Sequence, residues 1–533
     1  MKGLITAAIL FCVAGVSAQV FDVTSFGAVG NGTTLNTSAF QAAIDSCHNS
    51  GGGIVRVAGG NFVTATVYLK SNVTIQIDSG ATITGAPNTT DYPDVTPLVR
   101  NYTDNYTQRS VFYAEGQHNI GITGKGTFNG NGISVPFLLD SDNKPYGFRF
   151  ISCTNVRYEG ITMRNSGFWM MHNHNIDTLV IKNLTIINQN LGNGDGINID
   201  GCRNVLVDSC TADCNDDPLV IKTTSLAASE NIAISHCVLM SYSRAIKIGT
   251  EIHGAVRNVH IHDIEVKQSN TAAIDAKCGI NLSVVDGGSM ENVLIENVTM
   301  SGIKVPLLIR LGNRARKYTD TAAAPGVGFL RNVELRNITA VASTNVTSSV
   351  TGIPGYAAQN IRLKNIDITF PGGQPATNSN FVVPENVASG PEATIFGDTL
   401  PAAGLYMRHL DSILLQNVCF HSAQYDQRPT LVLDDVAHFD SSGVCIISSA
   451  ATIESSFSIR MYPNPVTSEL YIETAAGKEL GEVVVYDIAG QVVQRLRCTG
   501  SRCAVPVYGL ATGVYVLTGL AGSERFVTRL VKQ

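Results

Sequence analysis

The chain has 533 residues, more than one ordinary compact core accommodates, so several domains or an elongated repeat are expected. Only 15% of residues are charged, 44% are hydrophobic and 50 are glycine, a profile that disfavours a helical protein and fits a turn-rich all-β one. A net charge of −6 gives no basic stripe for nucleic acid, while it burdens an acidic substrate only mildly because local charge decides.

At the N-terminus, Lys2 precedes the apolar run LITAAILFCVAGV and a small-residue cleavage site at Ser17-Ala18. This predicts a secretion signal over residues 1–18; the run is too short for a membrane anchor, and no integral membrane segment is expected elsewhere. Removing the signal takes Cys12 with it and leaves eleven of the 12 cysteines. Export permits disulfides; Cys498 and Cys503 are close enough in sequence to form a local pair, and the odd total leaves at least one free thiol. Cys202, Cys210, Cys214 and Cys237 contain no CxxC pair, so they read as buried small residues and no metal is expected.

Next, NTSAFQAAIDSCHNSGGG predicts a helix, with Asn36 or Thr37 as its cap, Phe40, Ala43 and Ile44 on one face, and a stop from Gly51. A phrase of a polar residue, often Asn, followed by alternating apolar positions then recurs. It reads CTNVRYEGITMRNS from Cys153, CRNVLVDSCTADC from Cys202, VRNVHIHDIEVKQS from Val256, MENVLIENVTMSGI from Met290 and LRNVELRNITAVAS from Leu330. Period-two alternation means strands with one inward face, and single copies cannot bury that face unless they stack. Each copy supplies two or three short strands rather than four, which disfavours a propeller. The expected architecture is a right-handed parallel β-helix, with asparagines laddered at its turns and the helix plugging its N-terminal end.

In NGDGINIDGCRNVLVDSCTADCNDD, Asp216 and Asp217 follow Asp195 by 21 and 22 residues, about one coil. Stacked strands lie about 4.8 Å apart, so the three carboxylates meet on one face, provided the strand ends or bulges at Pro218. Carboxylates crowded this way hold a proton back for donation, which suits acid/base attack on a glycosidic bond. Asn193 lies beside Asp195. Arg244 and Lys247 follow Asp216 by 28 and 31 residues, and Lys277 lies 30 further on from Lys247; these cations would hold an anionic sugar or support the ionised acids. Phe168 and Trp169 precede the site by about a coil, as a sugar platform or as rung core. Arg310, Arg314 and Arg316 would line the far end of the groove or do nothing.

From about Phe21 to Phe420 the sequence resembles glycoside hydrolase family 28, the polygalacturonases and their relatives. The resemblance rests on FDVTSFGAVGNGTTLNTSAFQAAID, GITMRNSGFWMMH, NGDGINIDGC, DCNDDPLVIKT and SRAIKIGTE, in that order. It implies a pectin-lyase-like solenoid and places the family's Asn-Thr-Asp motif on Asn193-Gly194-Asp195 and its paired aspartates on Asp216 and Asp217. It further implies Asp216 as general acid, Asp195 and Asp217 as the groups that position and deprotonate water, and inversion with acid and base about 6.5–9.5 Å apart. Two departures stand out. The Gly-His-Gly motif falls on Ser243-Arg244-Ala245, and the Arg-Ile-Lys motif falls on Asp275-Ala276-Lys277 or, in another alignment, on Asn281-Leu282-Ser283. Both weaken galacturonate specificity more than hydrolysis, which keeps rhamnogalacturonan or another decorated polysaccharide open.

From Ser456 short alternating strands split by Pro and Gly predict a small β-sandwich. YPNP at Tyr462–Pro465, VYDIAGQVV and LATGVYVL resemble the C-terminal sorting domain of the Bacteroidota type IX secretion system. The expectation is therefore a signal at 1–18, a β-helix glycosidase at 19–455 and a sorting domain at 456–533. The implied partners are a polysaccharide and the type IX machinery; no cofactor is needed and a monomer is expected. A calcium-dependent polysaccharide lyase on the same fold and a non-catalytic glycan-binding surface protein are the competing functions.

Overall fold

The computed structural model describes residues 19–134, 143–189, 192–271, 273–448, 459–474, 478–487, 491–522 and 524–533. The expected signal and the expected boundary at Ser456 lie outside them. The chain divides into two compact units, Met1–Ile447 and Ser448–Gln533.

In the first unit the alternating phrases become strands of one large parallel sheet that coils upon itself. Val156, Leu179, Val205, Ile232, Val259, Val293, Val333, Ile361 and Ile413 are register partners from coil to coil. All nine are buried in one continuous apolar core. Each such side chain contributes about 1.5–3 kcal/mol on leaving water, which no single coil could collect alone.

Asparagine lets the chain turn at most coils, with Thr178 and Ser412 taking the same left-handed position in two others. Asn119, Asn155, Asn231, Asn258, Asn292, Asn332 and Asn360 all adopt positive φ, between 51° and 56°. This left-handed conformation is costly for most side chains and tolerated by Asn. Their amides stack as expected: Asn258 Nδ2 donates to Asn231 Oδ1 at 3.2 Å, and Asn292 Nδ2 donates to Asn258 Oδ1 at 3.3 Å.

The predicted helix spans Thr37–Asn49, and Ala39, Phe40, Ala43, Ile44 and Cys47 pack into the same core as the coils. Asn36 stands at the N-cap position, yet its side chain makes no cap bond. It is instead drawn into the preceding loop, accepting from Val29 N at 2.7 Å and donating to Thr34 O at 2.7 Å.

The second unit pairs antiparallel strands in two sheets. Ile459–Tyr462, Glu469–Thr474 and Arg502–Pro506 make one; Leu480–Tyr486, Val492–Arg497, Gly513–Ala521 and Glu524–Lys532 make the other. Leu470, Ile472, Val483, Val505 and Leu517 share one core. Cys498 and Cys503 form the expected disulfide; Cys419–Cys445, which local spacing does not suggest, joins neighbouring coils near the end of the first unit. Cys202, Cys210, Cys214 and Cys237 are buried free thiols.

If left-handed turns are what asparagine supplies, Asn258→Ala should lose about 1 kcal/mol more stability than Asn258→Gly, since both lose the amide but only Ala pays for the conformation. Denaturant midpoints measure this; equal losses would assign the effect to the ladder bonds instead.

Candidate active site

The carboxylates meet because two coils enter their strands at the same level. Asp195 precedes the strand Ile197–Asp200, while Asp216 and Asp217 lie in the break between Thr211–Cys214 and Leu219–Thr223. Gly196 N donates to Asp217 O at 2.9 Å and Ile197 N to Pro218 O at 2.9 Å, which locks the two coils in register. The strand does break at Pro218, so Asp216 and Asp217 can both face Asp195. One carboxylate oxygen from each of the three lies within 4.8 Å of the others.

Three buried cations make this crowding tolerable. Lys247 Nζ is 2.5 Å from Asp217 Oδ2, Lys222 Nζ is 3.6 Å from Asp195 Oδ2, and Arg244 Nη1 is 3.6 Å from Asp216 Oδ1. Burial is the largest influence on each acid, but the outcomes diverge. At Asp217 burial favours the neutral form, yet Lys247 and Arg244 outweigh it and hold the pKa below the usual carboxylate range. At Asp216 burial and the charge of Asp217 win over Lys247 and Arg244, so the pKa rises. Asp195 is raised well above its usual value by burial, with Asp216 and Asp217 adding to it against Lys222. Its side chain and that of Asp217 are 3% exposed, against 25% for Asp216. Asp217 Oδ1 makes no hydrogen bond among the described residues. Asp216 is therefore the most exposed of the three and, like the buried Asp195, favours its protonated form, while Asp217 favours its ionised form. That is the pairing that acid/base hydrolysis requires.

The other expected site residues fare differently. Arg244 and Lys247 do stand on the next strand, Arg244–Ile252, against the triad. Lys277 does not reach the acids: it is half-exposed and pairs with Glu392 at 3.5 Å. Asn193 is exposed at φ 53°, where it turns the chain into Asp195. Trp169 is corrected from a sugar platform to a support. It is 4% exposed, packs with Tyr146 and Phe168, and carries the Lys222 ammonium 3.7 Å from its ring centroid. The distal arginines are spoken for: Arg314 binds Asp286 at 2.5 Å, Arg316 binds Glu251 at 2.8 Å, and Arg310 donates to Ser389 O at 3.3 Å.

Lys222, Glu251 and Glu392 are the residues that sequence reasoning missed. Lys222 had a signal, since Ile221-Lys222 and Ile246-Lys247 repeat one phrase a coil apart. Glu251 lies four residues past Lys247, which helps hold its pKa well below the usual range against burial. Glu392 had no signal: it meets Arg244 across 148 residues of sequence.

A coiled parallel sheet bearing a groove of acids with divergent proton affinities defines a polysaccharide hydrolase. The chain belongs to glycosyl hydrolases family 28, whose profile matches residues 47–389, and residues 460–533 match the secretion system C-terminal sorting domain. It is similar to a probable polygalacturonase of Vitis vinifera, 25% identical over 69% of this chain and 78% of that one. It is also similar to the exo-poly-alpha-D-galacturonosidase of Dickeya chrysanthemi, 25% identical over 71% and 73%. The exopolygalacturonase structure from Thermotoga maritima shares the fold at a TM-score of 0.55 with 22% identity, over 66% of this chain and 87% of that one. The protein is thus a polygalacturonase-like glycoside hydrolase with a C-terminal sorting domain. Among the described residues no helix is long and apolar enough to cross a membrane.

Because the Lys247 charge is what depresses Asp217, Lys247→Met should raise the Asp217 pKa and move the acid limb of the pH–activity profile to higher pH. A full kcat/KM profile against pH checks this, and an unmoved acid limb would remove Asp217 as the group responsible for it.

Proposed function

We propose that the protein is an exported hydrolase of pectic polysaccharide in which Asp216 protonates the leaving glycosidic oxygen. Asp217 deprotonates the attacking water, which Asp195 beside it helps to orient. The single observation that carries this reading is the split among three touching carboxyls: Asp216 raised and facing the groove, Asp217 lowered and recessed. Raising one acid's proton affinity favours its protonated form, and lowering its neighbour's favours the ionised form that can take a proton from water. Both recessed acids are tied to lysines, Asp195 to Lys222 and Asp217 to Lys247. Activation of water by a recessed acid is a direct displacement, which inverts the anomeric centre. The pectic substrate is supported by the polygalacturonase relatives, several of which are named as exo-acting.

A lyase held together by calcium is the weaker reading. Calcium takes six to eight oxygen ligands. Here the three acids already have Lys222, Lys247 and Arg244 within 3.8 Å, so the cluster's charge is met by protein cations.

The same reading takes residues 19–455 as a right-handed β-helix plugged by the helix Thr37–Asn49, whose apolar face joins the coil core. Residues 456–533 become a β-sandwich sorting domain, supported by two antiparallel sheets around one core. It would direct a monomeric enzyme through type IX export to the cell surface or beyond.

The test follows reducing ends released from pectic polymers by the purified mature protein. Asp216→Asn should lower turnover by about 10²–10⁴-fold with folding retained. Proton NMR of the first-formed product should show the inverted anomer. Full activity of Asp216→Asn would end the acid assignment, and a retained anomer would end the water-displacement step.

A further inference from the structure

Arg244 is engaged on two sides. Its guanidinium faces Asp216 and Asp217 at 3.6 and 3.8 Å, and Nη2 is bonded to Glu392. Glu392 Oε2 also takes Lys277 at 3.5 Å. One carboxylate from the chain itself thus occupies the two cations that an anionic sugar would need next to Asp216. Its position is built rather than incidental. Asn281 Nδ2 donates to Pro391 O at 2.7 Å, and Ala393 is buried against Cys278, Val305 and Leu308. The residues flanking Glu392 on both sides are therefore fixed.

The coil beneath adds no further positive charge. Asn281 is the register partner of Lys247, and Ser283 Oγ donates to Asn281 Oδ1 at 2.6 Å, so this strand presents a closed, uncharged pair beside the site. Alongside lies a cavity of about 550 Å³ whose lining includes Lys277, Lys304, Glu392 and Asp398, two cations against two anions. A free uronate bound here would sit against Glu392 or have to expel it. An uncharged residue could instead donate its hydroxyls to the half-exposed Glu392 carboxylate.

We propose that Glu392 is a specificity-determining residue that makes the subsite beside Asp216 take an uncharged unit and disfavour a free uronate. That unit is a neutral sugar or a galacturonate whose carboxyl is esterified. This rests on the pectic-hydrolase reading and sharpens it. The reaction remains hydrolysis, and Glu392 acts on which residue occupies the groove.

Three polymers separate the sources: unesterified polygalacturonate, methyl-esterified homogalacturonan and an alternating rhamnose–galacturonate backbone. With the full mature chain, kcat/KM should be higher on one of the two uncharged-subsite polymers than on polygalacturonate, and the better arm identifies sugar or ester. Glu392→Gln should narrow that ratio by about 10-fold or more, chiefly by a gain on polygalacturonate, because juxtaposed like charges are strongly disfavoured. Glu392→Ala, which cannot re-form the Arg244 contact, should move the ratio in the same direction, with the thermal midpoint of both variants close to the parent's. A parent that prefers unesterified polygalacturonate, or a ratio unchanged in both variants, overturns the role of Glu392 while leaving the hydrolase intact. Inactivity on all three polymers overturns the pectic reading and this one with it.

Discussion

Vertical register between coils is the constraint from which the rest of this structure follows. Residues one coil apart are brought to strand spacing, about 4.8 Å, whatever their charge. For apolar columns such as Val205, Ile232, Val259 and Val293 this is an advantage, since like stacks on like without loss of packing. For the column holding Asp195 and Asp217 the same geometry forces negative groups together in a place that solvent scarcely reaches. Such a cluster survives only if cations are delivered at the same pitch. Arg244 follows in that column one coil on from Asp217, and Lys222 and Lys247 reach the acids from other positions on the two successive strands.

The cations do more than neutralise. Were they spread evenly, the three acids would share their protons alike and no pair of roles would emerge. Lys247 bonds Asp217 directly and Arg244 lies between Asp216 and Asp217, whereas Lys222 is drawn toward Asp195 and held over Trp169. The unequal placement separates proton affinities among neighbouring carboxyls, and acid/base chemistry depends on that separation. Trp169 matters here through its buried ring, which holds an ammonium at a fixed height; a sugar platform would have needed an open face.

Much of this was legible in the sequence because it is periodic. Alternating Val, Ile and Leu announce an inward strand face, Asn before each run announces the left-handed turn, and the one-coil interval from Asp195 to Asp216 announces their meeting. Periodicity also carried Arg244 and Lys247 to the triad. It failed wherever a contact is not periodic. Lys277 lies 30 residues past Lys247, but the register there is 34, so Asn281 takes that position and Lys277 pairs with Glu392; Arg314 and Arg316 are claimed by Asp286 and Glu251, and Asn36 gives up its cap for a loop contact. The spacing rule locates a backbone position, while the side chain goes to the nearest opposite charge, and that charge can sit on a distant insertion.

The division between coil and insertion explains how hydrolysis can persist while familiar recognition motifs are lost. Bringing Asp195, Asp216 and Asp217 together requires only that two adjacent coils stay in register, a condition enforced by backbone bonds such as Gly196 N to Asp217 O. Nothing in that requirement involves Asn281 or Ser283, which bond to each other, or the loop carrying Glu392. Those positions are free to change the charge of the groove wall without disturbing the acids below. Asn281 shows the two layers joined at a single residue. Its backbone belongs to the coil next to that of Lys247, and its side chain fastens the loop at Pro391. A cation there would have served an anionic sugar directly. An amide there serves the loop, and through the loop it helps place Glu392 on Arg244, so an uncharged coil position and an acidic loop position act on the same cation.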